Sequence, residues 1–395
     1  MTAGMSADMS ADDVLVVAGE ASGDLHGARL LARLAELAPG LRPFGLGGDE
    51  MRAAGLDAVA HSSEIAVVGI TEALRVLPRA WRIYRRLLAE AERRRAASAV
   101  LIDSPEFNLR LARRLSRRGV RVLYYISPQI WAWRQGRVRT IAACVDRMLV
   151  VFPFEVDFYR RHGVDVIHVG HPLIDEIPPL EQAWQRPPPA PGEPFVVALL
   201  PGSRSSEVRS LLPAMLESAR RLGESLPVAV RLIQAPTVDA RLVDALIAAG
   251  PALEIERVRR DRFPAIAGAH LALCASGTAT LEVGLLGTPM IVLYRLKLGS
   301  YILARLLVDL EHFSMVNLVL GRRAVPELAQ RDAAPERVAA EARRLLESPA
   351  EIEVMRQALA ELRPRLGAGG ASRRAAEVIA DRIADLGRGR AEGGT

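Results

Sequence analysis

The sequence predicts an α/β fold with two Rossmann-like, doubly wound domains, and three observations lead to that prediction. Apolar, strand-like runs alternate with helical segments in the first half, as expected for parallel sheets built from βαβ units. A proline-rich stretch interrupts the alternation over residues 177–194, and the same alternation then begins again. We therefore expect domains at 13–176 and 195–345, joined by this linker and facing each other across a cleft.

The strands of both halves are recognisable as short apolar runs. In the first half they are DVLVVAG (13–19), AVLIDS (99–104), VRVLYYIS (120–127), RMLVVFP (147–153) and DVIHVGHP (165–172). In the second half they are FVVALLPGS, PVAVRLIQAP, LEIERV, HLALCAS and PMIVLYR. Apolar runs of this length are typical of strands that are buried on both faces. Residues 1–12 are expected to be disordered, and residues 346–395 to form C-terminal helices followed by a disordered tail, GRGRAEGGT.

Composition narrows the class of protein. The chain has 395 residues, a formal charge of +6 and only two cysteines, which argues against a disulfide framework. The first residues lack the basic and apolar regions of a signal peptide, and no apolar run is long enough for a membrane span. The basic balance indicates anionic partners: nucleic acid, phosphorylated ligands or an acidic membrane surface.

In doubly wound sheets, ligands bind beyond the carboxyl ends of the strands, so residues just after each strand are informative. The loop GEASGD (19–24) follows the first strand and contains Glu20, Ser22 and Asp24. It is either a turn in which Ser22 or Asp24 caps the next helix, or a substrate loop. Asp103 ends another strand; it either helps the helix that Ser104 and Pro105 would start, or acts as a general base.

Two strand ends in the second half have the composition of anion sites. After FVVALLPGS, the segment Gly202–Arg204 makes a turn at a helix start, where backbone N–H groups and a guanidinium can bind an anion. A capped helix with a solvated arginine is the alternative. After HLALCAS, Ser276, Gly277 and Thr278 place small residues at a second helix start. Such a start suits a diphosphate.

Glu282 lies about one turn into that second helix. Its carboxylate could accept hydrogen bonds from both hydroxyls of a ribose, as the acidic residue of dinucleotide sites does. The alternative is a buried glutamate that caps a neighbouring helix. The full dinucleotide fingerprint is missing from the sequence, which disfavours a dehydrogenase.

Aromatic and basic residues occur together in two places. Trp131 and Trp133 lie in a predicted loop, where they would stack on a sugar, contact an acyl chain or belong to the core. In the segment 72–95, Pro78 is expected to start a helix with arginines on one side, Arg82 and Arg86 among them, and Trp81, Tyr84 and Leu88 on another. This helix either packs on the sheet or lies on an anionic membrane, and 296–310 has a similar character. No cluster has metal-ligand spacing, so no metal site is predicted.

Several motifs together resemble the lipid-A-disaccharide synthase family. They are, in order, VAGEASGDLHGA, GLGGDEMRAAGL, LIDSPEFN, YISPQIWAWR, VFPFE, VGHPL, LLPGSRSSEV, ASGTATLE, YR (294–295), VNLVLGR and VPELAQ. The resemblance runs from about Val14 to Gln330. It implies a GT-B glycosyltransferase that joins UDP-2,3-diacylglucosamine to 2,3-diacylglucosamine 1-phosphate, with inversion, to give a β-1,6-linked disaccharide and UDP.

The resemblance also implies roles for individual residues. Asp103 would be the base, and Arg204 would act in catalysis on the leaving UDP. The donor residues would be Gly202, Ser203, Arg204, Ser276, Gly277, Thr278, Glu282, Asn317 and Glu327. The acceptor residues would be Glu20, Ser22, Asp24, Gln129 and Trp131. No cofactor or metal is implied; the enzyme would bind anionic lipids of the inner membrane peripherally, on its cytoplasmic face, and a homodimer is left open.

Two other classes remain open from the residues alone. A related GT-B enzyme such as a UDP-N-acetylglucosamine 2-epimerase would share the UDP half-site but would not need the arginine-rich amphipathic helix. A basic nucleic-acid-binding protein would explain the charge, although the sequence contains no recognised nucleic-acid module.

Overall fold

The computed structural model describes residues 13–65, 70–131, 135–177, 187, 189–190, 192–295 and 311–392. The predicted disordered start (1–12), most of the predicted linker and the segment 296–310 therefore lie outside the described residues. Contacts divide the chain into two compact units, Met1–Pro172 with Ala368–Thr395, and Leu173–Gly367. Each unit contains one sheet.

The first unit contains a seven-stranded parallel sheet. Its strands are β1 (Asp13–Ala18), β2 (Arg42–Gly47), β3 (Asp57–His61), β4 (Ser98–Ile102), β5 (Arg121–Tyr125), β6 (Arg147–Val150) and β7 (Val166–His168). Their order is β3-β2-β1-β4-β5-β6-β7. The order reverses between β1 and β4, which makes the carboxyl ends of these two strands the switch point where ligands bind in such sheets.

Helices connect these strands, as the alternation in the sequence predicts. They are α1 (Ala21–Leu37), α2 (Asp49–Ala53), α3 (Ile70–Arg93), α4 (Pro105–Ser116), α5 (Val138–Cys144) and α6 (Pro153–Arg160), with 3-10 turns at 62–64 and 135–137. The predicted helix start at Pro78 is wrong, because α3 passes through this proline without interruption. A proline removes one hydrogen bond from the ladder, and a helix of this length continues on both sides of the gap.

The second unit contains a six-stranded parallel sheet. Its strands are β8 (Phe195–Leu200), β9 (Val228–Ile233), β10 (Ile255–Val258), β11 (Leu271–Ala275), β12 (Met290–Tyr294) and β13 (Glu327–Ala329). The order is β10-β9-β8-β11-β12-β13, so the switch point lies between β8 and β11. Its helices are α7 (Leu173–Glu176), α8 (Ser205–Gly223), α9 (Ala240–Ala248), α10 (Arg262–Ala267), α11 (Thr278–Leu285), α12 (Met315–Leu320), α13 (Pro335–Leu346), α14 (Pro349–Ala360) and α15 (Leu362–Leu366).

The central strands explain why these sheets form. Every residue of β4 and of β11 is buried, as are Val14–Ala18 of β1. A strand covered by helices on both faces buries successive side chains on opposite sides, and each fully buried large apolar side chain contributes about 1.5–3 kcal/mol. The prediction of two doubly wound α/β domains is confirmed.

The last helix, α16 (Ala371–Glu392), belongs to the first unit, where it packs against α1. Arg374 donates to the carbonyl of Val169 at 2.9 Å, and Arg382 forms an ion pair of 2.8 Å with Asp165. The helix also continues to Glu392, so most of the stretch predicted as a disordered tail is helical. The glycines of this stretch lie in the last turns of the helix. Their low helix propensity therefore has little effect on the part of the helix that packs against the first unit.

Candidate active site

The chain leaves β4 through two residues with unusual backbone geometry. Asp103 and Ser104 have φ angles of +48° and +45°, in the left-handed region that a non-glycine residue occupies at a cost of about 1–3 kcal/mol. Hydrogen bonds hold this turn in place: the Asp103 N–H donates to Tyr125, and the Asp103 carbonyl accepts from the Asn108 amide at 2.8 Å and from the Tyr124 hydroxyl. The backbone position of the predicted base is therefore fixed.

Ser104 does not act as the predicted side-chain cap of α4. Its hydroxyl makes no cap hydrogen bond, since the left-handed backbone turns it away from the helix start. The Ser104 Oγ atom is buried and has no hydrogen-bond partner among the residues the structure describes. A Cβ atom at Gly19 would lie 2.8 Å from this oxygen, so glycine is what allows the end of β1 to approach the end of β4.

The loop after β1 divides the predicted acceptor residues into two kinds. Glu20 and Ser22 are exposed, whereas Asp24 is buried and accepts from the N–H groups of Gly48, Glu50 and Met51 at 2.6–3.1 Å. Asp24 thus connects α1 to the start of α2 and supports the loop from inside. The alternative in which Ser22 or Asp24 caps the helix is wrong, because α1 begins after Glu20 and has no side-chain cap.

The loop after β5 is organised by a carboxylate that the sequence analysis did not single out. Glu155 accepts from the Ser127 hydroxyl, from the Trp131 Nε1–H at 3.1 Å and from the Phe152 N–H at 3.1 Å. Burial raises its pKa to about 7, although these hydrogen bonds act in the opposite direction.

Trp131 is buried against the edge of Phe154, with ring centroids 4.8 Å apart, while Gln129 is exposed. Trp133 lies outside the described residues. The core alternative therefore fits Trp131, whereas Gln129 is presented to solvent. Glu155 could have been found from the segment VFPFE, since a glutamate two residues after a helix-starting proline reaches back to the helix entrance.

In the second unit, the turn after β8 has the expected glycine. Gly202 has φ +111°, and a Cβ there would lie 2.5 Å from Glu207. The Glu207 carboxylate accepts from the N–H groups of Ser203 and Arg204 and pairs with the Arg204 guanidinium at 3.1 Å. Two of the N–H groups at this helix start are thus already bound by Glu207 and are not free for an anion. What it offers to an anion is chiefly the Arg204 side chain, which is 75% exposed.

The turn after β11 is open by contrast. Gly277 has φ +149°, and apart from its chain neighbours no described residue has an atom within 4 Å of where its Cβ would be. The N–H groups of Gly277, Thr278 and Ala279 have no partner in the part of the chain that the structure describes. Three adjacent N–H groups at the positive end of a helix dipole form a site that a diphosphate can enter.

The remaining predicted donor residues form a connected network beside this turn. The Ser276 hydroxyl donates to the Phe313 carbonyl at 2.9 Å, and the Glu327 carboxylate accepts from the N–H groups of Phe313 and Ser314. Asn317 is fully buried and bonds to the backbone of Ala324 and Val325. Glu327 and Asn317 therefore shape the segment that follows the undescribed residues 296–310.

Glu282 forms an ion pair with Arg262, whose Nε and Nη2 atoms lie 3.0 and 3.3 Å from the two carboxylate oxygens. The alternative of a helix-capping glutamate is not what these contacts show. Among the described residues, no group of three or more histidine, cysteine or acidic side chains is arranged to hold a metal ion.

The solved structures that align with this chain include glycosyltransferases and UDP-N-acetylglucosamine 2-epimerases. A putative UDP-N-acetylglucosamine 2-epimerase from Listeria monocytogenes aligns with a TM-score of 0.62 at 12% identity, over 94% of this chain and 97% of that one. The calicheamicin glycosyltransferase CalG4 aligns with a TM-score of 0.57 at 16% identity, over 95% and 99%. At such identities the likeness concerns the fold alone, and the fold is that of the GT-B glycosyltransferases.

The family follows from the sequence comparisons. The family model described as lipid-A-disaccharide synthetase matches residues 14–381. Lipid-A-disaccharide synthases of Anaeromyxobacter dehalogenans 2CP-C and Syntrophus aciditrophicus are 46% and 44% identical over 370 and 371 residues, in each case 93% of this chain and 97% of the relative. The chain belongs to the lipid-A-disaccharide synthetase family and is a glycosyltransferase of lipid A biosynthesis, which decides against the epimerase and nucleic-acid alternatives.

Proposed function

We propose that this enzyme transfers the sugar of UDP-2,3-diacylglucosamine to the 6′-hydroxyl of 2,3-diacylglucosamine 1-phosphate through the residues described above. The observation that carries the proposal is the open start of α11, where three N–H groups of residues 277–279 lie in the same turn of the second unit as Ser276 and about one turn from Glu282. Backbone N–H groups at a helix start can bind a diphosphate, and a carboxylate about one turn further on can accept from the hydroxyls of the adjoining ribose.

In this reaction the acceptor oxygen bonds to the anomeric carbon of the donor. The bond from that carbon to the diphosphate oxygen breaks, and UDP leaves with the electron pair. Asp103 takes the hydroxyl proton. Arg204 and the start of α11 stabilise the negative charge that grows on the diphosphate, in the manner of preorganised donors in other transferases.

Incubation of the protein with both substrates tests the proposal directly. UDP and a disaccharide 1-phosphate should form in equal amounts, and neither should form when the acceptor is omitted. Product formation from UDP-N-acetylglucosamine in place of the acylated donor would contradict the proposed substrate. Activity that disappears with EDTA and returns with Mg²⁺ would contradict the expected lack of a metal requirement.

The proposed contact with the membrane rests on one exposed patch of α3. Trp81 is 61% exposed and Leu77 is 56% exposed, one helical turn apart, and the neighbouring Arg79 and Arg82 are exposed as well. No helix among the described residues is long and apolar enough to cross a bilayer. An exposed tryptophan flanked by arginines suits the interface between anionic headgroups and acyl chains.

The other residues that we expected on this face differ in their exposure and contacts. Leu88 is buried with Ile83 and Leu87, so it belongs to the face of α3 that packs on the rest of the first unit. Tyr84 is half-buried and stacks on Trp81, with ring centroids 5.2 Å apart. Arg86 donates to the Val59 carbonyl at 2.7 Å, so its guanidinium is partly engaged by the protein.

Vesicle binding tests this patch. The double variant Arg79→Glu, Arg82→Glu should lose binding to phosphatidylglycerol vesicles and keep its thermal stability, since each basic side chain near an anionic surface contributes about 1 kcal/mol. Arg209→Glu with Arg241→Glu, two exposed arginines of the second unit, is the control with the same change in charge. Equal binding by both double variants would rule α3 out as the membrane contact.

The homodimer stays a prediction, which sedimentation velocity tests.

A further inference from the structure

Arg262 occupies the first position of α10 and reaches across to α11. Its Nε and Nη2 atoms donate to separate oxygens of Glu282, so the guanidinium and the carboxylate meet side by side. The Arg262 side chain also lies over the ring of Phe263, with its Cζ atom 4.6 Å from the ring centroid. Two hydrogen bonds and a cation–π contact fix the guanidinium, and a fixed fork in turn fixes the plane of the carboxylate.

The chemistry of this pair leaves Glu282 able to bind a ligand. An ionised carboxylate has about four acceptor positions, and a side-by-side arginine uses one on each oxygen. One acceptor position therefore remains on each oxygen, in a plane that Arg262 determines. Two such positions on one carboxylate match a pair of neighbouring hydroxyl groups. We propose that Arg262 is a positioning residue that orients Glu282 to receive both ribose hydroxyls of the uridine nucleotide.

This inference rests on the proposed function, because it assigns a partner to the carboxylate that would contact the donor. Electrostatics gives Arg262 a second effect. Glu282 lies one turn from the N–H groups that would hold the diphosphate, and an unpaired carboxylate there would repel the ligand. The ion pair cancels that charge without occupying the helix start.

The loop before α10 supplies a matched control. It contains Arg259 and Arg260, which are exposed and make no contact to Glu282 among the described residues, and it leads directly to Arg262. Asp261 has φ +51°, which turns the chain between Arg260 and Arg262. Arg260→Ala therefore removes the same charge two residues away and leaves the Glu282 pair intact.

Calorimetry with UDP, 2′-deoxy-UDP and 3′-deoxy-UDP tests the proposal. A hydroxyl bound to a carboxylate is worth about tenfold or more in affinity, so the wild-type protein should bind both deoxy ligands about tenfold more weakly than UDP. In Arg262→Ala that discrimination should fall to about twofold. Arg262→Lys keeps the charge but not the fork, so it should recover part of the UDP affinity and little of the discrimination.

Each outcome bears on a specific statement. In the Glu282→Ala background, Arg262→Ala should have no further effect on discrimination, and Arg260→Ala should leave discrimination unchanged in the wild-type background. Full discrimination in both Arg262→Ala and Arg262→Lys would overturn the positioning role while the proposed UDP site stands. A wild-type protein that does not bind UDP would overturn both. Thermal unfolding of each variant shows whether it is folded, and Arg262→Lys decides the question if Arg262→Ala is not.

Discussion

The two units build the carboxyl ends of their central strands in different ways. In the first unit, β4 and β5 are followed by non-glycine residues at positive φ, namely Asp103, Ser104 and Ile126. In the second unit, the turns after β8 and β11 use glycines for the same purpose, Gly202 and Gly277. The first unit thus stores backbone strain at these central turns, whereas the second has its non-glycine residues of positive φ, Asp261 and Gln330, after the outer strands β10 and β13.

The carboxylates near these strand ends also differ between the two units, in the partners that they contact. In the second unit, Glu207 and Glu282 each pair with an arginine and Glu327 accepts two backbone N–H groups. In the first unit, Glu155 is fully enclosed with uncharged donors. Strain that persists in a fold is concentrated where a reacting group must be held, whereas paired charges suit the binding of a ligand. We therefore expect variants of the first unit to change turnover and variants of the second to change affinity.

The largest effect should come from Asp103→Asn. Turnover should fall roughly 10²–10⁴-fold, as for the loss of a general base, while UDP affinity stays within about twofold. Asp157→Asn, an exposed aspartate on α6, is the matched control and should behave like the wild-type protein. Asp103→Asn with more than about a third of the wild-type turnover would show that Asp103 has no role as a base.

The next largest effect concerns Glu155 and pH. Its folded pKa of about 7 lies above the ordinary value of 4.5, so the folded state binds more protons than the unfolded state between these values. Its contribution to the free energy of unfolding is therefore fully present below pH 4.5 and is lost as pH rises through 7, by about 3 kcal/mol in all.

Chemical denaturation of the wild-type protein and of Glu155→Gln between pH 5 and pH 8 measures this contribution. The stability of the wild-type protein relative to the variant should decrease with rising pH, because only the wild-type protein has the titrating group. A difference between the two proteins that stays constant over this range would show that Glu155 keeps one charge state throughout.

A smaller effect is expected for Arg204→Ala in the second unit. UDP affinity should fall by about 1.5–3 kcal/mol, roughly tenfold to 150-fold, as for a lost hydrogen bond to a charged group. Arg209→Ala, an exposed arginine on the same helix, is the control. Unchanged UDP affinity in Arg204→Ala would mean that the start of α11 binds the diphosphate alone, and the comparison between the units would lose one of its two binding elements.

The fold was predictable from the sequence to a large extent, and the positions of the candidate site residues only in part. Periodicity shows which runs are strands and where they end, so Asp103, Arg204 and Gly277 lie just after the strands expected for them. Periodicity does not show which hydrogen-bond donor pairs with which acceptor. The partners of Asp24, Asn317 and Glu282 come from residues up to 27 positions away in the chain, and such contacts leave no periodic trace.

Backbone strain was the other feature that the sequence did not reveal. Nothing in the residue types of Asp103 or Ser104 requires φ above zero, although aspartate tolerates the left-handed region better than most. The hydrogen bonds from Tyr124 and Asn108 impose that geometry, and they depend on the tertiary fold. Pro78 is a similar case. Its residue type indicates a helix start, and only the tertiary structure shows that α3 continues through it.

The smallest effect should come from Ser104→Gly, which tests the strain in the first unit. Glycine occupies positive φ without penalty, and the substitution also removes a buried hydroxyl that has no partner among the described residues. Against this, glycine has more freedom to lose on folding, so we expect a net gain of about 1 kcal/mol in the free energy of unfolding. Ser116→Gly at the end of α4 makes the same change where the backbone is helical, and it should instead lose about 0.5–1 kcal/mol.

The turnover of Ser104→Gly shows whether the strain at this turn matters for catalysis. If the strain at β4 holds Asp103 in place, Ser104→Gly should be more stable and slower, since a relaxed turn lets the Asp103 carboxylate leave its working position. UDP affinity should not change, because the turn belongs to the first unit. A variant that is more stable and equally fast would separate strain from catalysis. In that case the positive φ angles at this strand end would be a consequence of how Tyr124 and Asn108 pack, without a part in placing the base.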